Sequence, residues 1–183
     1  MAREVLADGG VDAIVNNAGG AFGMDPVAAG KPEDWVNMYN VNVLGALNVT
    51  QAFLPALREN GHGSILMLTS TAALAAYEGG AGYCAAKAGE QAMTQALRLE
   101  EAEHNVRVIE ILPGMVKTEE FSLNRLGDAA AAEKIYAGVE KPLTAEDVAD
   151  VMAYALNAPH HVNLDQVVIR PVAQAAQHKV IRR

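Results

Sequence analysis

Three side chains could converge to move a proton: Ser70, Tyr83 and Lys87. Tyr83 and Lys87 stand four residues apart, so on a helix they share one face. A free phenol ionises near pH ~10, too high for a base near neutrality. A neighbouring ammonium favours the phenolate and is expected to lower that value. A serine hydroxyl at the same point could hold a substrate oxygen while the phenol passes the proton. A Tyr with a Lys four residues on also fits an exposed helical pair, so the surrounding elements decide between the two readings.

Those elements alternate. Residues 12–16 are a short apolar run ending in Asn16-Asn17-Ala18-Gly19, a strand and a turn. Pro32, Glu33 and Asp34 open a helix, with Pro in the first turn and acids at its positive end, and Asn60-Gly61 should stop it. Ser64–Thr69 reads as a second strand, Gly82 to about His104 as a long helix stopped by Asn105, and Val106–Leu112 as a third strand closed by Pro113-Gly114. Thr144 is placed to cap a further helix, and residues 166–169 read as a last strand. Residues 117–141 read as a helical excursion. Strand–helix alternation predicts an α/β fold, a doubly wound parallel sheet of about four strands with helices on both faces. Ligands in such sheets bind beyond the carboxyl ends of the strands. That rule selects three loops: Asn16 to Phe22, Ser70 to Tyr83 and Pro113 to Phe121.

Composition narrows the function. The 183 residues carry 14 basic and 22 acidic side chains, a net charge of −8, which opposes binding to nucleic acid or to an anionic membrane surface. The 51% hydrophobic content fits a packed domain. The longest stretch without charged residues, Trp35–Leu57, holds Asn37, Asn40, Asn42, Asn48 and Gln51, too many amides for a bilayer core. The first residues have no apolar core of signal-peptide length. One cysteine, Cys84, forms no internal disulfide and suits a reducing compartment, so a cytoplasmic protein is expected. Cys84 reads as a packing residue, and His160 and His161 as loop residues, with no metal site expected.

Taken together, Asn16-Asn17-Ala18-Gly19, Asn42-Val43-Leu44-Gly45, Ser70, Tyr83-x-x-x-Lys87 and Pro113-Gly114-x-x-x-Thr118 resemble the short-chain dehydrogenase/reductase family in order and spacing. The resemblance runs from residue 1 to about 172 and implies a Rossmann-type fold. It implies a catalytic tetrad of Asn42, Ser70, Tyr83 and Lys87. Tyr83 would be the acid/base, Lys87 would tune it and hold the nicotinamide ribose, Ser70 would bind the substrate oxygen, and Asn42 would anchor a water. Asn16, Ala18 and Gly19 would lie along the cofactor, and Pro113, Gly114, Val116 and Thr118 would contact its nicotinamide side. The run Thr118-Glu119-Glu120-Phe121-Ser122 with Arg125, Gly127 and Asp128, and the later Leu143–Val148 and His161–Asn163, resemble the NADP-dependent 3-hydroxy acid (serine) dehydrogenase branch. That likeness implies NADP, with NAD still open, and small 3-hydroxy acids as substrates. It makes Arg125 a candidate carboxylate clamp, because a guanidinium pairs with a carboxylate bidentately.

The family's Gly-rich pyrophosphate turn, and the residue that selects NAD or NADP, have no counterpart before Asn16. The expectation is therefore an N-terminally truncated domain, with residues 1–172 its carboxyl portion and 173–183 a solvated tail, and with the strand at 12–16 left as an open edge. The two long helices are the surface through which the family's members pair, which implies a homo-oligomer, a dimer or tetramer. Two other readings stay open: an epimerase or dehydratase that shares the Tyr/Lys machinery, and a non-catalytic chain that acts through oligomerisation.

Overall fold

Four apolar runs form one sheet in the computed structural model, which describes residues 1–118 and 121–183. The strands are β1 (Ala13–Asn16), β2 (Ser64–Leu68), β3 (Arg107–Pro113) and β4 (Val167–Ile169), hydrogen-bonded in that order and all parallel. Ala13 pairs with Ser64, Ile65 with Val108, and Ile111 with Val167. Parallel strands point their carboxyl ends the same way, so the loops after β1, β2 and β3 gather at one edge.

α1 (Ala2–Ala7) precedes β1, and between the strands run α2 (Pro32–Tyr39), α3 (Gly45–Asn60), α4 (Ala81–Glu101), α5 (Phe121–Leu126), α6 (Ala129–Tyr136) and α7 (Ala145–Asn157). The local signals act as expected. Gly61 at φ 74° and Asn105 at φ 55° adopt the left-handed conformation that ends their helices. Thr144 accepts from the Asp147 amide at 3.2 Å, and the Asp147 carboxylate accepts from the Thr144 amide at 2.8 Å, a reciprocal cap.

Side-chain alternation sorts the core into two layers. Ile65 and Met67 of β2 and Val108 of β3 pack with Phe53 and Leu57 of α3 and Leu97 of α4. Leu66 of β2 and Ile109 and Ile111 of β3 face the other way, onto Ala155 of α7. Strands covered on both faces are the rule in parallel sheets, and explain why every residue of β3 is buried. At the edge of the sheet, β1 buries Ile14 and Asn16 but leaves Val15 exposed.

The ends of α3 and α4 are tied by a two-pronged contact. Arg58 donates through Nε at 2.8 Å and through a terminal nitrogen at 2.6 Å to the Glu101 carboxylate, which is almost fully buried. The bond from Arg58 holds the Glu101 carboxyl below its ordinary value of 4.5. A depressed carboxyl stabilises the fold above its unfolded value and loses that contribution as pH falls through the folded one. Urea midpoints measured across pH should therefore drop in the parent chain below about pH 4.5, whereas Arg58→Gln should show a lower midpoint at pH 7 and a flatter acid limb.

Beyond β4 the chain departs from the expected solvated tail. Residues Gln174–Ala176 and Lys179–Val180, β5 and β6, form a small antiparallel hairpin. Gln174 is buried, and its Oε1 accepts from the Met115 amide at 2.8 Å. Arg182 donates to the carbonyls of Ile135 and Ala137, and the Arg183 amide donates to that of Gly138. These fastenings give polar groups of the loop after β3 partners that local sequence does not supply. Gln174→Leu should leave the Met115 amide without its partner and lower stability by about 1–2 kcal/mol, readable in a urea titration.

Candidate active site

The loop edge of the sheet gathers the residues singled out above. After β1, the Asn16–Gly20 turn runs over Asn42. The helix entering this region is not a single α-helix. Between α2 and α3 it passes through a π-helical turn, Asn40–Leu44. Such turns are rare and concentrate at functional sites. The fully buried Asn42 sits in it. Its Oδ1 accepts from the Gly20 amide at 3.1 Å, and its Nδ2 donates to the carbonyls of Gly20 at 2.8 Å and Met38 at 2.7 Å. Asn42, expected to anchor a water, thus spends both amide hydrogens on protein carbonyls and clamps the turn.

Gly19 is needed for this approach. A Cβ there would lie 2.6 Å from Asn42 Oδ1 and 3.3 Å from Lys87 Nζ. The same measurement places the Lys87 ammonium directly beneath the turn. Ala18 and Gly19 are exposed, whereas the Asn16 side chain turns inward and donates to Thr50 Oγ1 at 3.1 Å. Asn16 therefore fastens the turn to α3.

Tyr83, Cys84 and Lys87 lie on the first turns of α4, all buried. The Tyr83 ring packs edge-on against Phe121 at 5.7 Å. Cys84 is a packing residue, as expected, in a cluster with Ala21, Met38 and Ala86. Ser70, at the carboxyl end of β2, accepts from the Ala72 amide at 3.1 Å, and its hydroxyl lies 3.4 Å from the Pro113 carbonyl.

One expectation is corrected here. Lys87 was expected to lower the Tyr83 value. Instead burial pushes the phenol up to about 12; Ser70 and Arg125 oppose the shift and Glu90 adds to it. Lys87 has other partners: its Nζ donates to the Glu90 carboxylate at 2.7 Å and to the Leu68 carbonyl at 3.0 Å. An ammonium paired this closely shows its neighbours little net charge.

Arg125 is buried and serves as a strap. It donates to the Gly23 carbonyl at 3.0 Å, the Tyr77 hydroxyl at 2.8 Å and the Gly79 carbonyl at 3.0 Å. Its guanidinium carbon lies 5.9 Å from the centroid of the Tyr83 ring. From α5 it thereby ties Gly23, just past the first loop, to the loop between β2 and α4 and, with Phe22, Asp34, Trp35, Met38 and Tyr83, lines a cleft. Three of its five N–H groups are spent on the protein.

The loop after β3 is held mostly from behind. The Gly114 amide donates to the Ile169 carbonyl at 2.7 Å, the Val116 carbonyl accepts from the Tyr136 hydroxyl at 2.9 Å, and Thr118 Oγ1 accepts from the Phe121 amide at 3.2 Å. Glu119 and Glu120 of the Thr118–Ser122 run lie outside the described residues. Three supports went unnoticed in sequence: Gln174, Tyr136 and Glu90. For Glu90 a signal existed, because a carboxylate seven residues after Tyr83 must share its buried face.

Comparison with known proteins fits this geometry. The short chain dehydrogenase family model matches residues 2–127. An uncharacterized oxidoreductase of Mycobacterium tuberculosis is 51% identical over 157 residues, covering 85% of this chain and 62% of that protein. An NADP-dependent 3-hydroxy acid dehydrogenase of Schizosaccharomyces pombe is 37% identical over 174 residues, covering 94% of this chain and 66% of that protein. The chain thus spans about two thirds or less of the length of these relatives. A solved serine dehydrogenase complexed with NADP+ superimposes on all of this chain and 75% of its own, with a TM-score of 0.91 and 37% identity. The matched residues build the Rossmann-type sheet and hold Asn42, Ser70, Tyr83 and Lys87 at its loop edge, and on that ground the chain belongs to the short-chain dehydrogenase family.

Proposed function

We propose that the chain carries the catalytic half of an NADP-dependent oxidoreductase that interconverts a small 3-hydroxy acid and its carbonyl compound. The observation that carries this reading is the Ser70 hydroxyl bonded to Tyr83, with Lys87 one turn further along α4 beneath the Asn16–Gly20 turn. The names of the similar proteins, a 3-hydroxy acid dehydrogenase and a serine dehydrogenase with NADP+, point the same way.

The residues present fit the nicotinamide end of such a cofactor. An ammonium has three N–H groups, and Lys87 spends two, leaving one for a ribose hydroxyl. The glycine at 19 keeps that approach open, since a side chain there would crowd the ammonium. Backbone at Asn16, Ala18 and Gly19 would face the cofactor on one side, and Pro113, Gly114, Val116 and Thr118 on the other. When bound, the cofactor supplies the hydride acceptor or donor.

The protein's own part is proton transfer and orientation. In reduction, Tyr83 gives its phenolic proton to the substrate's carbonyl oxygen, and in oxidation the phenolate takes the hydroxyl proton back. Ser70 holds that oxygen; its bond to Pro113 is long, so its hydrogen can be redirected. The two N–H groups that Arg125 retains can receive the substrate carboxylate. Asn42 keeps the turn over the site rigid. The apolar side chains exposed on α2 and α4, Val36, Tyr39 and Leu99, suit pairing of copies, as proposed for a cytoplasmic homo-oligomer.

Fluorescence titration of the 183-residue chain with NADPH and NADH, followed by assay with small 3-hydroxy acids, tests this reading. Weak saturable binding of either nucleotide, with turnover that Tyr83→Phe removes, is expected, because the nicotinamide end has its contacts here and the pyrophosphate turn and the NAD/NADP selector have no counterpart before Asn16. A folded chain that binds neither nucleotide would return the non-catalytic reading.

A further inference from the structure

Arg125 is 9% exposed, yet its partners are all neutral: the carbonyls of Gly23 and Gly79 and the hydroxyl of Tyr77. Buried charges are ordinarily paired. Asp25 and Asp34 line the same cleft, but among the described residues no carboxylate forms an ion pair with this guanidinium. Each terminal nitrogen carries two hydrogens and spends one, on Tyr77 and on Gly79, so each keeps one N–H. Two N–H groups on neighbouring nitrogens form the fork that grips both oxygens of a carboxylate.

The aim of that fork depends on Tyr77. Arg125 Nη1 donates to its hydroxyl at 2.8 Å, and the guanidinium carbon lies 5.6 Å from the centroid of its ring. Two glycines seat the ring. A Cβ at Gly80 would fall 2.3 Å from it, and a Cβ at Gly79 would fall 2.7 Å from the Met24 carbonyl. Gly79 also stands at φ 69°, a conformation that glycine adopts without strain. Burial pushes the Tyr77 phenol above its ordinary value, with Arg125 opposing the shift, so the group stays a neutral hydroxyl near pH 7. A carboxylate in its place would cancel the charge of Arg125, whereas a neutral phenol holds the guanidinium and leaves its charge for a ligand.

We infer that Tyr77 is the positioning residue of Arg125 and through it a determinant of specificity: it fixes the fork in the orientation that takes a substrate carboxylate, so that the site prefers a small hydroxy acid to its uncharged amide. The inference rests on the reading of Arg125 as the carboxylate clamp of the proposed oxidoreductase. A guanidinium already fixed loses little freedom on binding, which is how a preformed site gains affinity.

The chain's one tryptophan, Trp35, lines the same cleft, so its emission reports binding without cofactor. At pH 7 and constant ionic strength, 3-hydroxypropanoate should bind the parent about tenfold or more tighter than 3-hydroxypropanamide, the worth of a charge-assisted bond. Tyr77→Phe keeps the ring and removes the hydroxyl. It should weaken binding of the acid about 5–10-fold and leave the amide within about twofold. Gly80→Ala should act likewise, because its methyl displaces the ring, and the two changes combined should add little to either alone. Asp25, Lys31 and Asp34 are the same in every variant, so the differences read Tyr77. A parent without preference for the acid, a Tyr77→Phe variant that binds the acid as the parent does, or a loss shared equally by acid and amide overturns the inference. Acid preference that these variants lose, in a chain that binds no nucleotide, would defeat the oxidoreductase reading and leave the carboxylate site standing. Nucleotide binding with turnover but no acid preference would do the reverse.

Discussion

If the proposed function holds, Tyr83→Phe should lower kcat for reduction of a small carbonyl acid by about 10²–10⁴, the usual worth of a positioned general acid, and leave the fold intact. The ring is what packs: it meets Phe121 edge-on and lies in a cluster with Ala21, Met38 and Ala72, and Phe keeps all of that. The hydroxyl is what the proposed proton transfer uses. Steady-state rates alongside a thermal melt check the separation, and a variant that retains a tenth or more of parental turnover would remove Tyr83 from the chemistry. The variant has a second signature. The folded phenol titrates near 12 against an ordinary 10.0, so between those values the folded state holds a proton that the unfolded chain has released. Stability therefore falls as pH rises through that window. Tyr83→Phe should flatten that alkaline limb in urea titrations at pH 9.5 to 11.5.

Asn42→Ala is expected to cost about 3 kcal/mol, because it strips a fully buried amide that satisfies the Gly20 amide, the Gly20 carbonyl and the Met38 carbonyl. At the size of this chain that is a fall of roughly 10 °C in melting temperature. The loss should reach function as well, since the amide joins the π-helical turn to the loop over Lys87. Gly19→Ala reports on the same contact from the other side. Its new methyl would meet Asn42 Oδ1 at 2.6 Å, so alone it should weaken nucleotide binding strongly. In the Asn42→Ala background the obstructing oxygen is gone, and the second substitution should cost distinctly less. Additive effects in that double-mutant cycle would show that the two residues do not share one contact.

The parts of the molecule legible in sequence are those decided by short-range physics. Pro32 with its acids starts a helix, Gly61 and Asn105 stop theirs, and Thr144 caps another, because each signal acts within one turn of chain. The parallel sheet was legible from strand–helix alternation, and with it the edge where the three loops meet. Tyr83 and Lys87 could be placed on one face from their spacing, and Ser70 at the end of the preceding strand from its position. What only tertiary structure decided is the environment at that point. How completely α4 is covered sets the Tyr83 value, and burial raised the phenol where an ammonium alone would have lowered it. Arg125 was recognisable as a guanidinium near the site, but its three carbonyl and phenol partners come from residues 23, 77 and 79, distant in sequence. Gln174 meets the Met115 amide across 59 residues. Such contacts carry no local pattern, because what selects them is the need of a buried polar group for a partner, and that need arises only once the sheet and its helices have excluded water.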